Sequence, residues 1–505
     1  MSEVGLARVR GAVLDGVSGV PVAVEVHVGA GLPAVGIVGL PGASVNEARW
    51  RIRSAVQNSG FAFPGTRVTV SLAPAELPKH GAGLDLPMAL AILAADGAIP
   101  ASRLSTLAVI GELALDGGVH PVRGALALIV GLASGGIQRV VVPSGNADEC
   151  AVLEGLEVYA VTSLREAVSV LRGEGSPVEA VPAGEARVED SLDVGDIVGQ
   201  THARWALEVA AAGRHHLLMT GTPGVGKTML ATRLPSLLPD LDDPESREVT
   251  AIHSVAGIGP AGLVRRPPFQ APHSSASAAA MLGAIRKSGA VPGALTLAHR
   301  GVLFLDETPE FSRDVLEGLR QSMESGVIAL HRAGWIGALP ADVQVVFAAN
   351  PCPCGYFNDA VDVRCTCGPA KARSYQARLS GPLRSRIDIG VHLTALGIGV
   401  ASGSCEGSQA IRRRVSDARE RAERRLRPFG YRVNAQVPGA VLTRELPITD
   451  GAVAALDRLT SRGLRGAHRA LRVAWSIADL RHHPAPTRED LDEAVAFHAA
   501  AQSVP

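Results

Sequence analysis

Lysine is nearly missing from this chain. Of 49 basic residues only four are lysine, at positions 79, 227, 287 and 371. The skew is better explained by genomic base composition than by selection for guanidinium chemistry at every other basic position. Net charge is missing too: 49 Lys+Arg stand against 49 Asp+Glu. That balance argues against a polybasic, histone-like binder, although a total says nothing about local charge. Aromatic residues make up only 3% of the chain. A base-stacking platform is therefore not expected, and any grip on nucleic acid would be on the backbone with little sequence preference. Six cysteines in 505 residues are too few for a disulfide framework. No apolar run approaches the roughly 18–20 residues that span a bilayer. The opening MSEVGLARVRGAVLDG has no basic segment followed by an apolar one, so no signal peptide is read. A soluble, cytoplasmic protein without a membrane partner is expected.

What is present is apolar material for several cores: 47% of 505 residues, or about three domains at roughly 150 residues each. Residues 1–172 alternate β-branched runs with Ala/Leu-rich stretches. VAVEVHV (22–28), RVTVSL (67–72), LAVIGEL (107–113) and RVVVP (139–143) predict strands, and 47–60 and 86–97 predict helices. Residues 173–195 carry six acids, one arginine and two prolines without apolar periodicity, the signature of an acidic linker. A second alternating block occupies 196–395. There HHLLMT (215–220), GVLFLDE (301–307) and DVQVVFAAN (342–350) are nearly continuous apolar runs, as buried parallel strands are. A Gly/Ser-rich stretch from 397 to 409 precedes a helical region, and 396–505 is taken as a small helical domain. The expected fold class is multidomain α/β, with an α+β N-terminal domain, a central P-loop domain on a parallel sheet, and a C-terminal helical lid.

The chemistry is concentrated in the central block. Gly221, Thr222, Pro223, Gly224, Val225, Gly226, Lys227 and Thr228 spell GTPGVGKT between an apolar strand and TMLATRLPSLL, which predicts a helix. Glycines let backbone N–H groups wrap phosphates, a lysine reaches the β- and γ-phosphates, and a threonine hydroxyl ligates Mg²⁺. Further on, VLFLDE ends in two acids: Asp306 for the Mg²⁺ shell and Glu307 to activate water. VVFAAN ends in Asn350, placed between nucleotide and water in the manner of a sensor-1 residue. ATP and Mg²⁺ are the expected cofactors.

FLDETPEF (304–311), APHSSAS (271–277), NPCPCGY (350–356), LSGPLRSRIDI (379–389) and LRVAWSIADL (471–480) together resemble the magnesium-chelatase-like AAA+ ATPase family of the ComM/YifB type, nearly end to end. The resemblance implies an arginine finger acting in trans, for which Arg386 in SRID fits and Arg384 is the substitute. A guanidinium from a neighbouring subunit would stabilise charge developing on the transferred phosphate. It also implies a sensor-2 arginine opening a lid helix: Arg465 by position, with Arg469 as runner-up. LAPAELPKHGAGLDLPMALAIL (72–93) and GELALDGGVHPVRGALAL (111–128) resemble the proteolytic domain of Lon. Gly83 stands where its serine nucleophile would be and Leu126 where its lysine would be, so a non-proteolytic relative is expected. Lys79 belongs to the structural PK turn.

Cys352, Cys354, Cys365 and Cys367 form C-x-C-x₁₀-C-x-C. Four thiolates on paired turns suit a structural Zn²⁺, although the spacers are tight and reduced structural cysteines are the other reading. Between Lys371 and Arg432 there are 14 basic residues against five acids, a stretch able to neutralise phosphates or to form a solvated helix face or subunit seam. GVIALHRAGWIGALP (326–340) reads as a hairpin around His331–Gly334, similar to the channel hairpin of related helicases. His331 and Arg332 are its candidate DNA-tracking residues. The resemblance implies a ring, expected to be a hexamer, acting on single-stranded or branched DNA with recombination proteins as further partners. The functional expectation is an ATP-driven DNA translocase promoting branch migration of incoming DNA; the alternative is a chelatase-like protein-remodelling ATPase without DNA activity.

Overall fold

A computed structural model describes residues 5–178, 192–258, 262–286, 289–332, 335–357, 365–394, 406–449, 451–453, 456 and 463–503. The N-terminal strands are β1 (Leu6–Asp15), β2 (Ser18–Gly29), β3 (Ala34–Val38), β4 (Arg67–Ala73), β5 (Ala108–Val109), β8 (Arg139–Pro143) and β9 (Glu157–Val161), with a side ribbon of β6 (Glu112–Leu113) and β7 (Val119–His120). Apart from the ribbon they form one seven-stranded mixed sheet of order β3-β4-β2-β1-β5-β8-β9. Valines recur at every second residue of β2, and Val22, Val24 and Val26 are fully buried, as a period of two on a half-covered strand requires. β1 and β2 form one long antiparallel pair from Leu6↔His27 to Asp15↔Ser18. The wholly buried helix Asp85–Ala95 packs in the core with Val9 and Val13 of β1. Helix Ala125–Ser134 packs with Ala12 in a separate core.

The stretch 107–113, expected as one strand, is instead two short ones. The chain turns at Gly111, whose N–H donates to the Gly83 carbonyl and whose own carbonyl accepts from Leu86 N–H. Those bonds take the backbone out of the sheet and toward the start of helix Asp85–Ala95.

The central strands β10 (Leu217–Gly221), β11 (Phe269–Gln270), β14 (Val302–Leu305), β17 (Gln344–Ala349) and β18 (Ile389–Leu393) form a five-stranded, all-parallel sheet. Its order is β11-β14-β17-β10-β18. β10, β14 and β17 are buried at every residue, matching their continuous apolar runs. β12 (Ala284–Arg286) pairs with β13 (Gly289–Val291), and β15 (Val327–Arg332) with β16 (Trp335–Pro340). β15 follows helix Arg313–Ser325 and β16 leads into β17, so the second ribbon branches from the sheet immediately before the Asn350 strand.

The C-terminal helices Ser408–Leu426, Leu464–Leu480 and Arg488–Gln502 share one hydrophobic core with helices Thr201–Gly213 and Lys227–Leu237 and one face of the parallel sheet. Trp475, fully buried, lies in that core, with the Arg425 guanidinium stacked 3.9 Å from its ring centroid. The N-terminal region meets the central one through Val17 and Ala127, which pack on Ala251, Ile252, Val255 and Leu339. Ser254 Oγ donates to Glu149 at 2.6 Å across the same seam. Among the described residues no helix is long and apolar enough to cross a membrane.

Candidate nucleotide-binding site

In a parallel sheet, ligands gather at the carboxyl ends of the strands where the connections diverge to opposite sides. β10 lies between β17 and β18, and GTPGVGKT leaves its carboxyl end. Gly224 and Gly226 have φ of +82° and +98°, the left-handed region that only glycine occupies without strain. The loop then opens helix Lys227–Leu237, whose first N–H groups point into the turn as an anion site requires.

Lys227 is 8% exposed, and its ammonium donates to the carbonyls of Gly221 (2.7 Å) and Thr222 (2.9 Å) and to Asn350 Oδ1 (2.9 Å). Burial lowers its pKa from the usual lysine value, while the nearby Asp306 and Glu307 charges oppose that. Thr228 Oγ1 donates to Asp306 Oδ2 at 2.7 Å. Asp306 Oδ1 accepts the Glu307 N–H at 2.9 Å. Glu307 is exposed and has a φ of +49°, a left-handed conformation that costs a non-glycine residue about 1–2 kcal/mol. The turn after it is pinned by Thr308 Oγ1, which donates to the carbonyls of Leu305 and Ala348. Lysine, threonine, both acids and Asn350, separated by up to 123 positions, thus meet at one end of one sheet.

One part of the site carries no motif in the sequence. Ile197, Val198, Gln200, Gly224, Val225, Gly226, Met229 and Leu230 line a cavity of about 310 Å³ beside the loop. Gln200 Nε2 donates to the carbonyls of Val225 (3.3 Å) and Thr394 (2.9 Å). The apolar walls of the cavity suit a flat nucleobase. Its one local signal is the apolar pair Ile197–Val198, directly after the acidic linker and before a helix.

The arginines implied by the resemblance lie away from this loop. Arg386 precedes β18 at the amino end of the sheet; it is 8% exposed and bonds to Glu324 and to the Pro382 carbonyl. Asp388, two residues further on, pairs with Arg469 at 2.6 Å, and Arg469 also donates to the Arg386 carbonyl. Arg384, the substitute, donates to the Gln502 carbonyl. Arg465 is exposed in the first turn of helix Leu464–Leu480, one turn before Arg469. Asp388 is buried; burial would raise its pKa, but Arg469 and the neighbouring His215 and His216 prevail and hold it far below the carboxylate range.

The basic stretch is largely spent on internal partners. Arg412 pairs with Asp240, Arg414 with Glu208 and Glu406, Arg425 with Asp479 and Arg432 with Asp242. Arg419 and Arg421 donate to the Ala211 and Asp479 carbonyls. Much of its charge excess is therefore offset by acids and carbonyls of the same chain, with Lys371, Arg373, Arg413, Arg424 and Arg427 left exposed. His331 and Arg332 end β15, opposite Ile336 and Trp335; Ala333 and Gly334 lie outside the described residues.

In the N-terminal region Gly83 lines a cavity of about 330 Å³ with His80, Glu112 and Arg123. Leu126 is fully buried among apolar neighbours. The Lys79 amine, also buried, donates to the Pro74 carbonyl. Neither Gly83 nor Leu126 supplies a nucleophile or an amine.

Three family descriptions match in succession: subunit ChlI of Mg-chelatase over 24–146, magnesium chelatase subunit ChlI over 193–399, and its C-terminal part over 405–498. An uncharacterized protein Rv2897c of Mycobacterium tuberculosis is 45% identical, covering 97% of this chain and 98% of its own. Protein YifB of Escherichia coli is 38% identical, over 96% and 95% of the two chains. Competence protein ComM of Haemophilus influenzae is 37% identical, over 96% of each. A shorter match, 28% identical over 169 residues, joins 32% of this chain to 21% of the Lon protease of Rhizobium meliloti. With the P-loop, the acidic strand tip and Asn350 assembled on a parallel sheet, and with relatives that run its full length, the chain belongs to the magnesium-chelatase-like AAA+ ATPase family of ComM and YifB.

Proposed function

We propose that the protein is a ring-forming, hexameric ATPase that moves on single-stranded or branched DNA in the cytoplasm and promotes branch migration of incoming DNA, alongside recombination proteins. The observation that carries the ATPase part is the joined pair of contacts Lys227–Asn350 and Thr228–Asp306, with Glu307 exposed beside them. Gly221, Thr222, Pro223, Gly224, Val225 and Gly226 cradle the phosphates, and Lys227 neutralises the β- and γ-phosphates. Thr228 and Asp306 hold Mg²⁺, which offsets phosphate charge when bound. Glu307 accepts the proton of the attacking water as its oxygen bonds to the γ-phosphorus and the bond to the ADP oxygen breaks. Asn350 orients that water. Arg386, at the opposite end of the sheet, reaches the neighbouring subunit's nucleotide after exchanging Glu324 for phosphate, and Arg465 serves as the sensor-2 residue. A structural zinc at the cysteine cluster completes the cofactors.

The DNA part is supported by the β15–β16 ribbon ending in His331 and Arg332, and by the competence role in the name of the Haemophilus relative. In this reading 1–172 is a non-proteolytic assembly or guiding domain, 173–195 a linker, 196–395 the motor and 396–505 its lid. The test is ATP hydrolysis with and without DNA, and unwinding of a branched junction by wild type and Glu307→Gln. No stimulation by any DNA would defeat the translocase reading. The chelatase family descriptions favour a second reading, a protein-remodelling motor, which a stable protein client and indifference to DNA would select.

A further inference from the structure

Directly after Asn350 the chain enters the cysteine segment. Cys352 Sγ lies 3.2 Å from Cys354 Sγ and 3.9 Å from Cys365 Sγ, and Cys354 Sγ lies 3.6 Å from Cys365 Sγ. With Cys367 included, the four sulfurs all fall within 4.8 Å of one another. These separations are too long for disulfide bonds, which need about 2.05 Å. They match a tetrahedral ion instead: metal–sulfur bonds of about 2.3 Å place the sulfurs about 3.8 Å apart. Four thiolates without imidazole or carboxylate select Zn²⁺ over Mg²⁺ or Ca²⁺.

The place of the cluster matters as much as its shape. The turn is closed by Gly355 N–H donating to the Cys352 carbonyl at 2.9 Å. Gly355 has a φ of +89°, and a Cβ there would stand 2.4 Å from the Pro223 ring. The backbone of the cysteine turn therefore lies directly on the P-loop. At its other end, Gln376 Nε2 donates to the Pro351 carbonyl at 2.9 Å. Asn350, one residue earlier, accepts the Lys227 ammonium. The segment touches the nucleotide loop at two points, Pro223 and Lys227, and the sulfur cluster lies immediately beyond Asn350.

We infer that Cys352, Cys354, Cys365 and Cys367 hold one structural Zn²⁺ that clamps the P-loop from outside, so that zinc occupancy sets the affinity for nucleotide. This rests on the reading of 221–228 as the nucleotide loop. Thiolates held by the ion fix the turn that carries Gly355. Without the ion, four uncoordinated thiols leave that turn with few internal bonds, and the free energy of metal binding no longer contributes to its order. The Pro223 contact and the aim of Asn350 are then both loosened. The cysteines do not touch substrate; they are positioning residues.

The test uses the purified full-length chain. Metal analysis should find about one zinc per chain and a large loss in the double variant Cys354→Ser/Cys365→Ser. Removal of zinc by a thiol reagent and chelator should weaken binding of a fluorescent ATP analogue at least about tenfold. After reduction, added Zn²⁺ alone should restore it and Mg²⁺ alone should not. Gly355→Ala, which pushes a methyl at Pro223, should weaken the analogue while keeping zinc at wild-type content. Circular dichroism melting separates these effects from unfolding. A chain that purifies reduced and without metal, or with iron in place of zinc, overturns the proposal. So does zinc-free protein of unchanged nucleotide affinity. Metal content is read without nucleotide or DNA, so absence of DNA stimulation, which would defeat the translocase reading, leaves it untouched.

Discussion

Thr228 Oγ1 donates to Asp306 Oδ2 across 2.7 Å, tying the first turn of the P-loop helix to the tip of β14. A hydroxyl and a carboxylate converging on one point, beside a lysine, are the oxygen donors an Mg²⁺–nucleotide site needs from its protein. Thr228→Ala and Asp306→Asn should each raise the Mg²⁺ concentration for half-maximal ATPase at least about tenfold. Binding of nucleotide in EDTA should stay near wild type. An unchanged Mg²⁺ titration would remove both residues from the metal shell.

Lys227 and Glu307 separate binding from turnover. Lys227→Ala removes the buried ammonium that bonds to Asn350 and should abolish binding of a fluorescent ATP analogue. Glu307→Gln keeps the fold of the turn and should preserve binding while stopping hydrolysis, a loss of about 10²–10⁴ in kcat. Normal turnover in Glu307→Gln would refute its assignment as the base.

Arg386 is held by Glu324 at the end of the sheet away from its own P-loop. If it acts on a neighbour, Arg386→Ala and Glu307→Gln should be inactive alone yet partly active when mixed and reassembled. At an interface between the two, the first contributes an intact base and the second an intact finger. A mixture that stays inactive where wild type assembles would rule out action in trans.

A pH effect follows from the cluster at the amino end of β10 and β18. His216 Nδ1 accepts the Val345 N–H at 3.1 Å, so it is neutral on that side. Burial pushes its pKa down to about 4, against the opposing pull of Asp388. The unfolded chain takes up this proton near the ordinary value of about 6.5, before the folded chain does. Stability is therefore full above that value and is lost as pH falls toward 4. Asp388, with its folded pKa depressed, adds a further loss below the ordinary carboxylate value. Thermal melting from pH 7.5 to 4 should show a falling Tm, with a shallower fall in His216→Gln. An equal slope in both would discharge His216 from the effect.

Much of the local vocabulary of the fold is legible in the amino-acid sequence. β10, β14 and β17 are continuous apolar runs, and the residues that follow them, Lys227, Asp306 and Asn350, carry polar chemistry that such runs do not otherwise contain. The pairing of β15 with β16 is equally plain, because two short strands flank a glycine in the sequence. The break at Gly111 is not. It depends on bonds to Gly83 and Leu86, more than 20 residues away, which no local pattern encodes. The cavity beside the loop is hidden for the same reason: Ile197 and Val198 come to line it only beside Met229 and Leu230.

The near-absence of net charge bounded what the protein could be, but the sum concealed how the charges are used. The motifs alone determined the ATPase class, because spacing within one strand–loop–helix unit decides whether phosphate can be held. The tertiary structure decided which arginines are free. It gave the buried and half-buried arginines of 371–432 acids or carbonyls elsewhere in the chain, since burying a guanidinium is tolerable only with a carboxylate or carbonyl to receive it. It also set Arg386 at the far end of the sheet from Lys227, and laid Gly355 against Pro223. Those placements depend on how strands far apart in the chain pack side by side, a property of the whole core rather than of any segment.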